Sequence, residues 1–411
     1  MMKYSDNIFL IAKNKNQEEL FEIYLYLERY INDGSPSGFD LGLPLKYSPF
    51  YHEKFIDIFL IKEDWTKHLQ IGKIPNSLNT SNEEIPFLIH PIIAEEIFEF
   101  EKLKFSLQNK ISAQPTASGR TVLWEDESKN KWFIKLHFPK KLGRFNRELN
   151  LFRWLSILER SRELYSAVSI FPKTLSFLHD LGGTFYQNQN SELSFGTIFR
   201  ESTPKPLPSN KYLLIPSFSL FASKRNDGRK QSILADMIEE IKMNDEQFHN
   251  LLIFPLIDAY IFLVDKLGMI PEFNAQNLLY EYDLVNHNTR IVIRDVGDCF
   301  IDFIIREREN LHTNFCSYKT LDPLRHNDIF QRRSFAFDFK LSHYILLPLL
   351  EEYSKLKGIK LSENIAKVKA YFVSHFPNHK EYFNSIKWFS YPNKEGVNRS
   401  SYIENDNPLF R

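Results

Sequence analysis

The stretch from Gly268 to Asp298, GMIPEFNAQNLLYEYDLVNHNTRIVIRDVGD, restricts the fold more than any other part of the chain. An apolar run with helical character, 251–270, leads into it, and Gly268 is a natural C-cap because glycine takes the left-handed conformation without strain. Glu272, Asn274, Gln276 and Asn277 follow at close spacing. A β-rich run, Arg290-Ile-Val-Ile-Arg294, then ends on Asp295, with Gly297 two residues on. The pattern predicts a hairpin bracketed by oxygen-bearing side chains of the kind that hold a hard divalent cation.

Upstream, Ser118-Gly-Arg-Thr-Val-Leu-Trp124 starts in a turn and runs into a strand, and Lys131-Trp-Phe-Ile-Lys-Leu-His137 is its return strand across turn residues 126–130. Strand alternation puts Phe133, Lys135 and His137 on one face. A nucleotide triphosphate needs charge neutralisation and a metal. Lys135 can meet phosphate as a point charge, Arg120 can do so bidentately, and the Ser118-Gly119 turn can offer backbone N–H groups. Asp295 and Glu272 can supply carboxylates to Mg²⁺, and Asn277 or Gln276 an amide oxygen. Neither a Walker A sequence nor a kinase H-R-D motif is present, and Asp295-Val-Gly297 is only loosely like D-F-G. Asp and Asn are also the commonest turn residues, so a plain turn competes with the metal reading. His90 before Pro91 reads either as structural or as a functional imidazole.

Periodicity predicts helices over 13–31, 92–105, from Gly143 onward, 231–242, 246–268, 338–356, 361–374 and 380–387. It predicts strands at 56–61, near Leu69, and at 87–89, 195–199 and 212–215. In the first turns of the Gly143 helix, Arg144 and Arg147 would oppose the helix dipole, which is reasonable if they face an anion; the alternative is surface arginine. The tail from Tyr391 is polar, and mobility is expected there. Three regions result: an α+β region 1–110, a β-rich nucleotide-binding region 111–240, and a mainly helical region 241–411 carrying the metal site.

Composition removes several classes. Lys+Arg and Asp+Glu both number 52, so no net field attracts nucleic acid or an acidic membrane. The two cysteines, Cys299 and Cys316, exclude a disulfide scaffold and a cysteine zinc site. The first residues lack a continuous apolar h-region, and Asp258, Asp265 and Lys266 interrupt the most apolar run, so neither a secretory signal nor a membrane span is expected. The expectation is a soluble cytoplasmic protein.

These motifs, in this order, resemble the IucA/IucC family of NRPS-independent siderophore synthetases. Tyr47-Ser-Pro49 is similar to its Y-S-P-E-F region, Phe87-Leu-Ile-His-Pro91 to its H-P motif, and Pro115-Thr-Ala-Ser-Gly-Arg-Thr121 to its S-x-R-T signature. Lys135 and Arg147 match its nucleotide-side Lys and following Arg, Phe195–Glu201 its L-R-E strand, Glu272–Asn277 its E-x-H-x-Q-N motif, and Arg294-Asp295 its R-D motif. The resemblance implies an α+β fold of hand-like fingers, palm and thumb with a largely helical C-terminal region. It implies adenylation of a citrate-like carboxylic acid by Mg-ATP, then condensation with an amine or hydroxyl. Ser118, Arg120, Thr121, Lys135, Gln276 and Asp295 would hold ATP, and Glu272, Asn277 and Asp295 would surround Mg²⁺. His90, Arg120 and Arg147 would face the acid. Family members are often dimers, so a homodimer is implied.

This sequence departs from the family pattern in three places. Asn274 stands where the family has His, and an amide cannot carry a proton or positive charge at neutral pH. The N-terminal G-H-P-x-H-P-x-x-K-x-R-x-G region reads Gly34-Ser-Pro-Ser-Gly-Phe-Asp-Leu-Gly-Leu43, without its histidines or basic pair. The chain is also shorter than usual members. A catalytically impaired nucleotide- or partner-binding relative, and a phosphotransferase using Lys135, Asn277 and Asp295, are the competing readings.

Overall fold

The computed structural model describes residues 6–32, 56–64, 68–78, 84–94, 110–142, 145–187, 194–222, 231–315, 329–383, 387–390, 401–404 and 408–411. The segments 34–43 and 47–49, Arg144 and Cys316 lie outside these.

Strands follow the apolar alternation. They are β1 (Ile56–Asp64), β2 (Leu69–Gly72), β3 (Glu84–Ile89), β4 (Lys110–Pro115), β5 (Thr121–Glu125), β6 (Lys131–Leu136), β7 (Phe138–Leu142), β8 (Phe145–Arg147), β9 (Leu175–Phe177), β10 (Asp180–Gln187), β11 (Ser194–Glu201), β12 (Tyr212–Pro216), β13 (Met269–Ile270), β14 (Leu278–Asp283), β15 (Thr289–Ile293) and β16 (Phe300–Ile301). An eight-stranded sheet runs β2-β10-β11-β6-β5-β4-β1-β3, and a four-stranded sheet runs β12-β14-β15-β9. The predicted β5–β6 hairpin closes through Asp126. Its carboxylate accepts from Asn130 N at 2.8 Å and from the Trp132 indole at 3.1 Å, which fixes the register that sets Thr121 opposite Lys135.

The largest core lies between the four-stranded sheet and the helices. The helix Gln17–Tyr30 begins in a capping box between Asn16 and Glu19 and packs along β12. The apolar run before Gly268 is the helix Asp245–Lys266, whose Leu252, Leu256, Ile257, Tyr260, Leu263 and Val264 are buried in that core. At Gly268, φ is +56° and an added Cβ would meet Arg306 Cγ at 2.5 Å, so the helix ends there for two reasons. A second long helical run covers 329–357, with a π-helical segment Phe335–Leu346 in its middle.

Several expectations shift. The helix foreseen from Gly143 starts at Leu151: Asn150 caps it, its side chain accepting from Arg153 N at 3.0 Å, while residues 145–147 form β8 against β7. Arg147 is therefore a strand residue with no helix dipole to oppose. The periodic apolar pattern began a turn early because Phe145 alternates in a strand yet also fits the helical spacing. The helix expected at 338–356 begins at Ile329, and that at 380–387 is the short Leu-free turn His379–Phe383. Of 92–105, residues 92–94 are helical and the rest lies outside the described residues. In the tail expected to be mobile, Ser401–Glu404 pairs with Lys387–Ser390, and Arg411 grips Asp338 at 2.7 Å through both Nε and Nη2.

Candidate functional site

Asp295 leaves the end of β15 at φ +69°, a conformation uncommon for a residue with a side chain. Gly297 makes this turn possible, since a Cβ there would lie 2.6 Å from Ile157 Cγ1. The turn aims the Asp295 carboxylate across at β6, where Lys135 Nζ meets its two oxygens at 2.8 and 2.7 Å. Arg200 of β11 approaches the same carboxylate at 3.7 Å while holding Asp180 bidentately at 2.7 and 3.1 Å. Two sheets thus face each other across a set of charges that the sequence separates by up to 160 positions.

Burial pushes the Asp295 carboxyl up, but Lys135, Arg200 and Arg120 outweigh it and hold the group well below the ordinary carboxylate range. Burial brings the Lys135 ammonium down to about 8 against the pull of Asp295. Burial and then Arg147 push Arg120 down as well, although a guanidinium keeps its charge at neutral pH. Lys135, Arg200 and Arg120 act on Asp295, while Asp180 pairs with Arg200 and Glu28 with Arg294.

The turn 115–121 closes on itself. Thr116 Oγ1 donates to Thr121 O at 2.7 Å, and Ser118 Oγ accepts from Thr121 N at 2.8 Å. Gly119 N–H is spent on Thr116 O at 3.1 Å and Ser118 N–H on Thr116 Oγ1 at 3.4 Å, so the two backbone N–H groups expected to meet an anion are bonded within the turn. Arg120 Nη1 donates to Arg147 O, joining β8 to the turn.

In the loop 271–277, Asn274 is buried and its Oδ1 accepts from Gln276 N at 3.0 Å and Asn277 N at 2.9 Å. This amide shapes the loop. Asn277 Nδ2 donates to Glu272 O at 3.3 Å, and Gln276 O accepts from Arg294 Nε at 2.6 Å. Arg294 also donates to Glu28 at 2.6 Å and to Tyr24 Oη at 2.9 Å, tying the helix Gln17–Tyr30 to the site. Ser118, Thr121, Gln276, Asn277 and Asp295 line one cleft with Arg200, Arg294 and Glu28. Its cavity of about 40 Å³ is room for one or two waters, so a nucleotide requires it to widen.

Other selected residues stand apart. His90 is fully buried with its ring 5.2 Å from that of Phe138, and its Nδ1 accepts from Ile92 N at 3.3 Å. Burial lowers it to about 4, so it is a neutral imidazole at pH 7. Glu272 pairs with Lys340 at 2.8 Å. The sequence reading missed Glu28, Lys340 and the roles of Arg200 and Asp180. The available signal was a charge inside an apolar pattern, as at Glu28 beside Leu25 and Leu27.

Among the described residues no three His, Cys, Asp or Glu side chains cluster for a metal. In the cleft the expected donor set is one carboxylate, Asp295, with the Asn277 amide, while Glu272 pairs with Lys340 and does not line it. That chemistry suits Mg²⁺ bound with a nucleotide, since Mg²⁺ commonly uses one or two carboxylates and completes its shell with phosphate and water.

Fold and cleft together define an α+β protein with a charged cleft between two sheets. No protein-family model and no curated protein sequence matches the chain. Solved structures do. The petrobactin biosynthesis protein AsbB from Bacillus anthracis str. Sterne superposes with a TM-score of 0.75 at 16% identity, over 97% of this chain and 76% of that one. The ATP-bound aerobactin synthetase IucA from a hypervirulent pathotype of Klebsiella pneumoniae gives 0.66 at 12% identity, over 93% of this chain and 78% of that one. Aerobactin synthetase IucC from the same source gives 0.60 at 14%, over 91% and 74%. The chain has the fold of the NRPS-independent siderophore synthetases, as the ordered motifs implied.

If Lys135 meets a phosphate it does so while protonated, so affinity is expected to fall as pH rises through its value of about 8. From about pH 7 to about pH 9.5, binding of a non-hydrolysable ATP analogue is expected to weaken about tenfold, with Lys135→Arg flattening the profile. A flat profile in the unaltered protein would remove Lys135 from the phosphate site.

Proposed function

We propose that this protein is a Mg-ATP-dependent ligase that adenylates a citrate-like carboxylic acid and joins it to an amine or hydroxyl in siderophore-type biosynthesis. The observation that carries the reading is the convergence of Lys135, Arg200 and Arg120 around Asp295 in a synthetase fold. Adenylation brings two anions together. A substrate carboxylate oxygen attacks the α-phosphorus, the bond to the pyrophosphate oxygen breaks, and pyrophosphate leaves. The nucleophile then attacks the acyl carbon, loses its proton and expels AMP. Cations fixed in advance stabilise the charge that builds on the transferring group without reorganising. Lys135 and Arg120 would hold phosphates with Ser118 and Thr121, and Arg147 with Arg120 would face the acid. Asp295 and Asn277 would hold Mg²⁺, which neutralises phosphate charge. Closure around the bound nucleotide would keep water from the acyl-adenylate.

The second reading, a nucleotide-binding relative without adenylation, is favoured by Asn274, whose Oδ1 is occupied by the loop it shapes. Pyrophosphate exchange separates the two. Purified protein with Mg-ATP and a panel of acids including citrate, succinate and 2-oxoglutarate is expected to exchange labelled pyrophosphate with one of them. ATP binding without exchange on any acid would favour the second reading, with Asn274→His the first change to make. Release of ADP would identify a phosphotransferase.

A further inference from the structure

The helix Leu151–Ser166 presents Arg153, Ile157 and Arg160 to the turn 295–298, and their spacing of four and then three residues sets them on one side. Arg160 Nη1 donates to Gly297 O at 2.6 Å, Ile157 lies against Gly297, and Arg153 Nη2 meets Asp298 at 3.3 Å. The Arg153–Asp298 pair stands in solvent and holds weakly. Arg160 differs. It is buried, it makes one hydrogen bond among the described residues, and its Nε has no partner there. A guanidinium taken out of water for a single carbonyl costs more than an apolar side chain of similar length, so packing does not account for it. The helix is itself fixed to the eight-stranded sheet: the Trp154 indole donates to Thr197 O at 3.1 Å, and Ile157 and Leu158 pack with Phe185 and Ile198. Ser161, next to Arg160, accepts from Asp180 N at 2.8 Å, and Asp180 holds Arg200. One helix therefore supports both the turn that carries Asp295 and the arginine that approaches it.

We propose that Arg160 is a positioning residue: by holding Gly297 O it keeps the turn in place and the Asp295 carboxylate against Lys135. The catalytic consequence rests on the ligase reading above, whereas the placement of Asp295 belongs to the protein without nucleotide. Asp295 ends a strand of the four-stranded sheet, and Lys135 and Arg200 belong to the eight-stranded one. A residue with a side chain at φ +69° keeps that conformation only when its surroundings hold it. The cleft must widen to admit a nucleotide, and the Arg160 bond keeps the turn with the helix, and so with the eight-stranded sheet, as it does. An arginine that only filled space would affect stability and leave the charge on Lys135 untouched.

The Lys135 ammonium reports this placement, because Asp295 holds its value up at about 8 against burial. Nuclear magnetic resonance of lysines labelled at Cε follows its titration without nucleotide, the Lys135 signal being assigned by its loss in Lys135→Arg. Arg160→Met is expected to lower the Lys135 value by about one pH unit, and Arg160→Lys, which can still donate to Gly297 O, to restore most of it. In exchange assays Arg160→Met should lower kcat about a hundredfold with KM for the acid little changed. An unchanged Lys135 titration in Arg160→Met would overturn this inference and leave the ligase reading standing. No pyrophosphate exchange on any acid in the unaltered protein, with the Lys135 value falling in Arg160→Met, would overturn the ligase reading and uphold the positioning role. Should Arg160→Met fail to fold, Arg160→Gln, whose shorter amide does not reach Gly297 O, decides the question by the same titration.

Discussion

Asp295→Asn is expected to remove the dependence of nucleotide binding on Mg²⁺ and to lower pyrophosphate exchange by about a thousandfold. The substitution keeps the shape of the side chain and deletes the negative charge that Lys135 holds at 2.7 Å and Arg200 approaches at 3.7 Å. Two effects of opposite sign follow. A metal held by Asp295 would lose a carboxylate ligand, while the cleft becomes more positive, so metal-free ATP should bind no worse than before. Calorimetric titration with and without EDTA distinguishes them: binding in Asp295→Asn should be the same in both conditions, whereas the unaltered protein should bind more tightly with Mg²⁺. Unchanged Mg-ATP affinity in the variant would remove Asp295 from the metal site. The stability cost should be modest, about 2 kcal/mol, because the Asp295 side chain keeps 29% of its surface in solvent and part of the lost interaction was already screened.

What could be read in advance at this site was the chemistry of individual residues. Lys135 on a strand, Asp295 at a strand end and the amide-rich loop before β14 all carry local signatures. Their partners carried less: Arg200 lies in the apolar strand β11 and Glu28 in the last turn of the helix Gln17–Tyr30, and a charge inside an apolar pattern does not say which cleft it borders. Asn274 shows the opposite case. Its departure from the family pattern was evident, but that its oxygen caps two backbone N–H groups is a property of the folded loop.

The fold was legible to a similar depth. Hairpins such as β5–β6 are local, since Asp126 and Asn130 set the turn within a few residues. The order of the eight-stranded sheet is not, because β2 joins β10 and β1 joins β4 through pairings whose partners lie far along the chain. Helix starts were displaced where two periods overlapped. Phe145, Leu149 and Phe152 satisfy the helical spacing, yet the strong signal was Asn150, a side chain that can accept from the first free N–H groups.

The second large effect is expected at Glu28. Its carboxylate is 1% exposed and receives Arg294 Nη1 at 2.6 Å together with the Tyr24 hydroxyl. Burial alone would push Arg294 down, but Glu28 and Tyr24 outweigh it and raise the group above its ordinary range. Glu28→Met therefore leaves a guanidinium in the interior with its counter-charge gone, and should cost about 3–5 kcal/mol in urea denaturation. The same logic predicts that Glu28→Met/Arg294→Met is more stable than the single variant, because the desolvation cost of both charges disappears with them. Exchange activity should separate from stability. The double variant should fold yet stay inactive, since Arg294 both lines the cleft and holds Gln276 O at 2.6 Å. A single-variant loss below about 1 kcal/mol, or additive losses in the double variant, would mean that solvent reaches Arg294 and that the helix Gln17–Tyr30 does not brace the cleft.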